Sequence, residues 1–263
     1  MLKTLFLLVK MFIKSQMEYR GAFIVDRVAQ FIAYGSAYGA IWVLLYKFDT
    51  LGGWNWPELA LLLSFQLLAY SLGAAFSFNQ FKNFEELVRL GTFDTLLVKP
   101  ISPWAYLTFS GLNIGYAGHI VLAVGLMIWA LFQVDAIWTF SSGIYFFTTL
   151  ISASLLVGAI TTMIGASAMV LVRSNYLFSI YFGFWELTRY PLNIYPAGLQ
   201  WIMMTIVPLG FINYVPVSVF LGKDVVVLGS AAPFLSLIAG PIVVALAMLH
   251  WRFCLNRYQS GGG

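Results

Sequence analysis

Residues 81–103 read FKNFEELVRLGTFDTLLVKPISP. They hold six charged side chains, one glycine and two prolines, in a chain of 263 residues that is 61% hydrophobic and 9% charged. On either side the sequence turns apolar: neither 59–78 nor 104–132 contains Lys, Arg, Asp or Glu. A charged segment between two such runs is a connection in water between two membrane spans. A soluble fold carries about 25% charged residues, so the surplus apolar surface needs the bilayer as its solvent. An aromatic content of 17% agrees, since Trp and Tyr gather at membrane interfaces.

Working outward, a span needs about 20 mostly apolar residues to cross about 30 Å of hydrocarbon. The stretches 21–46, 59–78, 104–132, 140–172 and 231–253 qualify. A sixth, 175–190, is shorter and ends on Glu186 and Arg189, one helical turn apart and able to neutralise each other. Residues 191–230 hold four of the nine prolines, and the longest proline-free run among them is too short to cross. Non-helical backbone at membrane depth survives only when shielded by protein or lining a cavity, so this segment predicts a re-entrant hairpin, with Tyr195, Pro196, Pro208, Asn213 and Pro216 capping the outer mouth. The expected fold is an all-α integral membrane protein of six transmembrane helices, one domain over 1–260. Gly261–Gly263 read as a linker scar.

Basic residues set the orientation. With both termini on one side, that side collects Lys3, Lys10, Lys14, Arg20, Arg27, Lys82, Arg89, Lys99, Arg173, Arg252 and Arg257, leaving Lys47, Arg189 and Lys223 on the other. Both termini and the 79–103 loop are therefore expected in the cytoplasm. Lys3, Lys10, Lys14 and Glu18 share one helical face opposite Leu5, Phe6, Val9, Phe12 and Ile13. That pattern predicts an amphipathic interfacial helix over 1–20, with lysines toward anionic lipid; the alternative is a longer first span.

Within the charged loop, Asn83 and Glu86 have capping-box spacing and Gly91 suits a left-handed helix end. Two short amphipathic helices hinged at glycine follow, with Phe84, Leu87, Val88, Phe93, Leu96 and Leu97 as an apolar edge that either packs on the spans or meets a partner.

The run VRLGTFDTLLVKPISP resembles the cytoplasmic signature of ABC-2 type transporter permeases, and YPLNIYPAGLQ…VPLGFINYVPVSVFLG is similar to the extracellular hairpin of one branch of that family. The resemblance implies the permease subunit of an ATP-driven exporter in a bacterial cytoplasmic membrane, moving an apolar or amphipathic substrate. It implies a loop that couples to two separate ATPase subunits through Glu85, Glu86, Arg89, Gly91, Phe93, Asp94, Lys99 and Pro100. ATP and Mg2+ would sit on those subunits, and a second permease chain, identical or homologous, would complete the pathway. This chain carries no cofactor of its own in that reading.

Other signals exclude more than they offer. No G-x-x-x-x-G-K-[ST] occurs, and FLGKD at 220–224 lacks its spacing and hydroxyl. The single Cys254 allows no internal disulfide, no Cys/His cluster has metal spacing, and a net charge of +4 is no nucleic-acid footprint. GSAYG at 35–39 and GLNIG at 111–115 permit close helix approach, and Gly35 and Gly39 are candidate dimer contacts. Asp26 and Arg27 read as interface anchors. Ser167, in a Gly-Ala-Ser run, would be a nucleophile only with His119 or His250 within hydrogen-bond reach; small residues on a span are otherwise packing surface. Apart from Asp26 and Arg27, no Lys, Arg, Asp or Glu lies deep in a span, which disfavours the rival reading of an ion-coupled secondary transporter.

Overall fold

The computed structural model describes residues 10, 11, 14, 20–136, 139–225 and 227–260. The amphipathic helix expected over 1–20 falls almost wholly outside them. The described chain is all helical: α1 (Arg20–Phe48), α2 (Trp56–Ala75), α3 (Phe78–Lys82), α4 (Phe84–Arg89), α5 (Asp94–Leu97), α6 (Pro103–Ser110), α7 (Ala117–Gln133), α8 (Phe140–Ala166), α9 (Ala168–Leu171), α10 (Asn175–Leu187), α11 (Ala197–Thr205), α12 (Tyr214–Phe220) and α13 (Ala232–Asn256). Among the described residues five helical stretches are long and apolar enough to cross a membrane: Arg27–Phe48, Trp56–Ala75, Ile114–Gln133, Phe140–Leu171 and Gly229–Asn256.

The central helix is α2. Asn55 caps it, accepting from Glu58 N at 3.0 Å while the Glu58 carboxylate accepts from Asn55 N at 2.9 Å, a reciprocal box that fixes where the helix starts. α2 is apolar all round and buried along its length, as a helix enclosed by others should be. Its interior hydroxyls bond to their own helix, Ser64 to Leu61 O at 2.9 Å and Ser71 to Leu67 O at 2.6 Å, so burial leaves them satisfied. α7 and α8 pack on α2, and α13 packs along α8. Small residues set these approaches: a Cβ on Gly73 would lie 2.3 Å from the Ser154 carbonyl oxygen.

The third apolar stretch departs from expectation. Residues 104–132 are not one helix: α6 stops at Ser110, a 3-10 turn spans Ile114–Tyr116, and α7 begins at Ala117. Asn113 explains the break. Its N–H donates to Ala75 O at 2.9 Å and its Oδ1 accepts from Gly115 N at 2.7 Å, a local bonding pattern that competes with the helix. GLNIG is thus a helix break rather than a continuous packing stripe. Arg27 is also more than an anchor at the interface. It is half buried, and its guanidinium lies beside this break, 2.8 Å from where a Gly115 Cβ would sit.

α1 is the most open of the long helices, with Ile24, Val25, Phe31, Ile32 and Val43 exposed. A Cβ on Gly35 or Gly39 would meet nothing within 4 Å, so neither glycine serves packing among the described residues. α10 has 13 residues, about 20 Å at 1.5 Å per residue, and ends where Arg189 pairs with Glu186 at 2.9 Å. The following proline-rich segment breaks as its sequence predicts, into α11, α12 and 3-10 turns at Leu192–Ile194 and Leu209–Phe211.

Candidate functional site

α3, α4 and α5 wrap around an aromatic cluster. Phe81 and Phe84, three residues apart, share one face and are fully buried with Phe93. Phe84 and Phe93 meet edge to face at 4.9 Å, and Trp251 of α13 lies 5.5 Å from Phe84. Gly91, at φ +69°, takes the left-handed conformation that glycine adopts without strain. The chain reverses there, Phe93 N donates to Leu87 O at 3.0 Å, and Phe93 lands on Phe84. The capping box expected from Asn83 and Glu86 does not form. Asn83 has helical φ and ψ of −82° and −5° and no side-chain cap bond, because α3 runs into α4 and leaves no free helix start to cap.

The charged residues of this segment divide into two groups. Lys82, Glu86 and Arg89 face outward, as does the uncharged Pro100, together with Leu90 at 61% exposure and Val98 at 84%. The others are engaged by the protein itself. Asp94 accepts from Tyr258 Oη at 2.9 Å and from Ser260 Oγ. Lys99 Nζ lies 3.7 Å over the Tyr106 ring. Glu85 turns inward, its Oε2 accepting from Ser174 N and Asn175 N, both at 2.6 Å. Partial burial, and then the Asp94 carboxylate that takes its hydrogen bond, push the Tyr258 hydroxyl above its ordinary range. Leu90 and Val98 escape sequence reasoning, since an apolar residue in an apolar chain carries no signal of exposure.

At the other end of α2 the proline-rich segment meets the 49–56 turn. Asn193 Nδ2 donates to Gly52 O at 2.7 Å and Lys223 Nζ to Gly53 O at 2.9 Å. Lys223 also pairs with Glu58 at 2.9 Å. Tyr195 donates to Leu187 O at 3.1 Å, while Pro196 is exposed and Pro208 half buried. Asn213 and Pro216 lie in the core. Asn213 Nδ2 donates to Thr188 O at 2.7 Å and its Oδ1 accepts from Tyr214 N at 2.8 Å.

Two apolar cavities open between the helices. One of about 450 Å³ lies among α2, α6, α8 and α13, lined by Leu72, Phe76, Trp104, Leu155 and Met248. The other, about 760 Å³, lies among α8, α10, α11 and α13 and is lined by Met163, Phe184, Trp201, Leu235 and Leu246. At the edge of the larger one Ser167 Oγ lies 3.1 Å from His250 Nε2, whereas His119 packs against Tyr34 with ring centroids at 4.6 Å. The Ser167 hydroxyl also donates to Met163 O at 3.0 Å, and His250 Nε2 lies 3.4 Å from Cys254 Sγ as well. Ser167 is thus tied to its own helix turn and to His250, and the pair links the end of α8 to α13.

A family model described as ABC-2 family transporter protein matches residues 31–262. No match to a curated protein or to a solved structure was found. The matched range takes in the aromatic-cored segment, the broken third span, the proline-rich segment and the last helix. The chain therefore belongs to the ABC-2 family of transporter proteins, as a membrane component and not itself an ATPase.

Proposed function

We propose that the chain is the permease subunit of an ATP-driven exporter and that the 79–103 segment docks separate ATPase subunits. The observation that carries this reading is the division of that segment into two faces. Its inner face is fixed by Phe81, Phe84 and Phe93, while Glu86, Arg89, Leu90 and Val98 stand exposed beyond the end of α2. Exposed apolar side chains and charges of both signs on one rigid segment suit a protein interface better than a solvated loop.

In this reading α10 and the 191–230 hairpin together form the sixth crossing and a re-entrant outer cap. The termini and the docking segment lie in the cytoplasm, on the side that collects most of the lysines and arginines. Two ATPase subunits carry ATP and Mg2+, and a second permease chain pairs across the open face of α1 at Gly35 and Gly39. ATP-driven closure of the ATPase pair then biases the helices between inward-open and outward-open packings. The apolar linings of both cavities suit an apolar or amphipathic cargo.

Affinity purification of the tagged chain from its native membrane tests this. An ATP-binding protein should co-purify, and ATP hydrolysis by the complex should need both. Isolation of an active transporter without any such protein would favour a secondary carrier.

A further inference from the structure

α10 begins in an unusual way. Its N-cap residue is Ser174, a residue type that ordinarily caps its own helix, yet the Ser174 side chain makes no cap bond and its buried Oγ has no hydrogen-bond partner among the described residues. The cap comes from elsewhere. Glu85 Oε2 accepts both Ser174 N and Asn175 N at 2.6 Å, across 89 and 90 residues of sequence. These are charge-assisted bonds at the positive end of a helix dipole, among the stronger polar contacts a protein makes. The turn just before them holds Val172 at φ +61°, a conformation that β-branched residues rarely adopt.

The far end of α10 is held as firmly. Thr188, its C-cap, receives Gln66 Nε2 on its hydroxyl, and its carbonyl accepts Asn213 Nδ2 at 2.7 Å. Asn213 opens the last helix of the proline-rich segment. Thirteen residues of helix thus run from the 79–103 segment at one end to the hairpin at the other, with a side-chain clamp at each terminus.

We propose that Glu85 is a positioning residue that ties the docking segment to α10, so that displacement of the segment carries α10 as a rod and reaches the hairpin through Thr188 and Asn213. This rests on the reading that ATPase subunits move the 79–103 segment. The aromatic cluster makes the handle rigid: Phe84, beside Glu85, is locked between Phe93 and Trp251, so α4 cannot move without its carboxylate. An exposed charge on a loop would transmit nothing; a half-buried one gripping two backbone donors does.

The test uses the complex of permease and ATPase in nanodiscs, with spin labels on Ile206→Cys in the hairpin and Phe140→Cys at the start of α8, both exposed. ATP with vanadate should shift the distance between the labels. Glu85→Gln should cut that shift by at least half and Glu85→Ala should abolish it, with ATPase subunits still present in the purified complex. The decisive variant is Glu85→Ala with Ser174→Asp, which returns a local cap to α10 but no tie to the segment. It should recover the melting temperature lost in Glu85→Ala without recovering the shift. Recovery of the shift as well would show that Glu85 is only a cap and overturn the proposal, as would a normal shift in Glu85→Ala. Absence of any shift with Glu85 intact would instead overturn the ATP-coupling reading on which the proposal rests.

Discussion

Gly240 on α13 and Ser152 on α8 meet at backbone distance: Gly240 N donates to Ser152 Oγ at 3.0 Å, and a Cβ on Gly240 would fall 2.0 Å from the Ser152 carbonyl oxygen. Pro241 follows directly and removes a donor from the α13 ladder. In lipid, helix association rests on such close packing, because the chains outside are as apolar as the side chains inside.

Gly240→Val should therefore push the two helices apart, a strain of about 1–3 kcal/mol or more. Ser152→Ala removes one hydrogen bond and should cost about 0.5–1.5 kcal/mol. Thermal unfolding in detergent separates the two, with the larger drop expected for Gly240→Val.

Asn213 is buried and bonded through both ends of its amide. Asn213→Leu leaves the Tyr214 N–H without its acceptor and removes the donor to the Thr188 carbonyl, a loss of about 1–3 kcal/mol for each unsatisfied buried group. Proteolysis of the 191–221 segment should accelerate in this variant while cleavage within 56–75 does not change.

Tyr258 holds the chain beyond α13 against Asp94. Since the folded state raises the Tyr258 pKa, the protonated phenol favours the docked tail. Its contribution is complete below the ordinary phenol range near pH 10 and is lost as pH rises above that. Tyr258→Phe keeps the ring against Phe93 but loses the bond to Asp94, so it should loosen the tail below about pH 10 and remove this pH dependence, read as faster proteolysis of the tail.

The proposed topology puts residues 55 and 82 on opposite sides of the membrane. Cysteines placed at Lys82 and at Asn55 should react with an impermeant maleimide from opposite faces, with little background because Cys254 is buried. Labelling of both from one face would contradict the proposed topology.

Much of this was legible in the sequence, and the limits have physical causes. Apolar run length located all five long helical stretches, though it ran the third through its break, and the prolines located the broken segment, because both act within a few residues. The break at Asn113 was hidden: one polar residue among apolar neighbours looks like a tolerated passenger until its partner, Ala75 O, is known. Glu85 posed the same difficulty in the candidate site. Its charge marked it, but its partners lie 89 and 90 residues away, and no spacing rule reaches that far. Asn83 and Glu86 carried a capping signal that α3 made redundant. The Asn55 and Glu58 box at the head of α2 is local and shows in the sequence as N-x-x-E.

The outward face of the 79–103 segment is proposed to bind an ATPase. A photo-crosslinking amino acid at Val98, 84% exposed, tests it most directly in the intact membrane. The account predicts a crosslinked product containing this chain and an ATP-binding subunit, lost when Glu86→Ala and Arg89→Ala are combined. A product of that kind from Phe140, 87% exposed at the opposite end, with none from Val98, would contradict it.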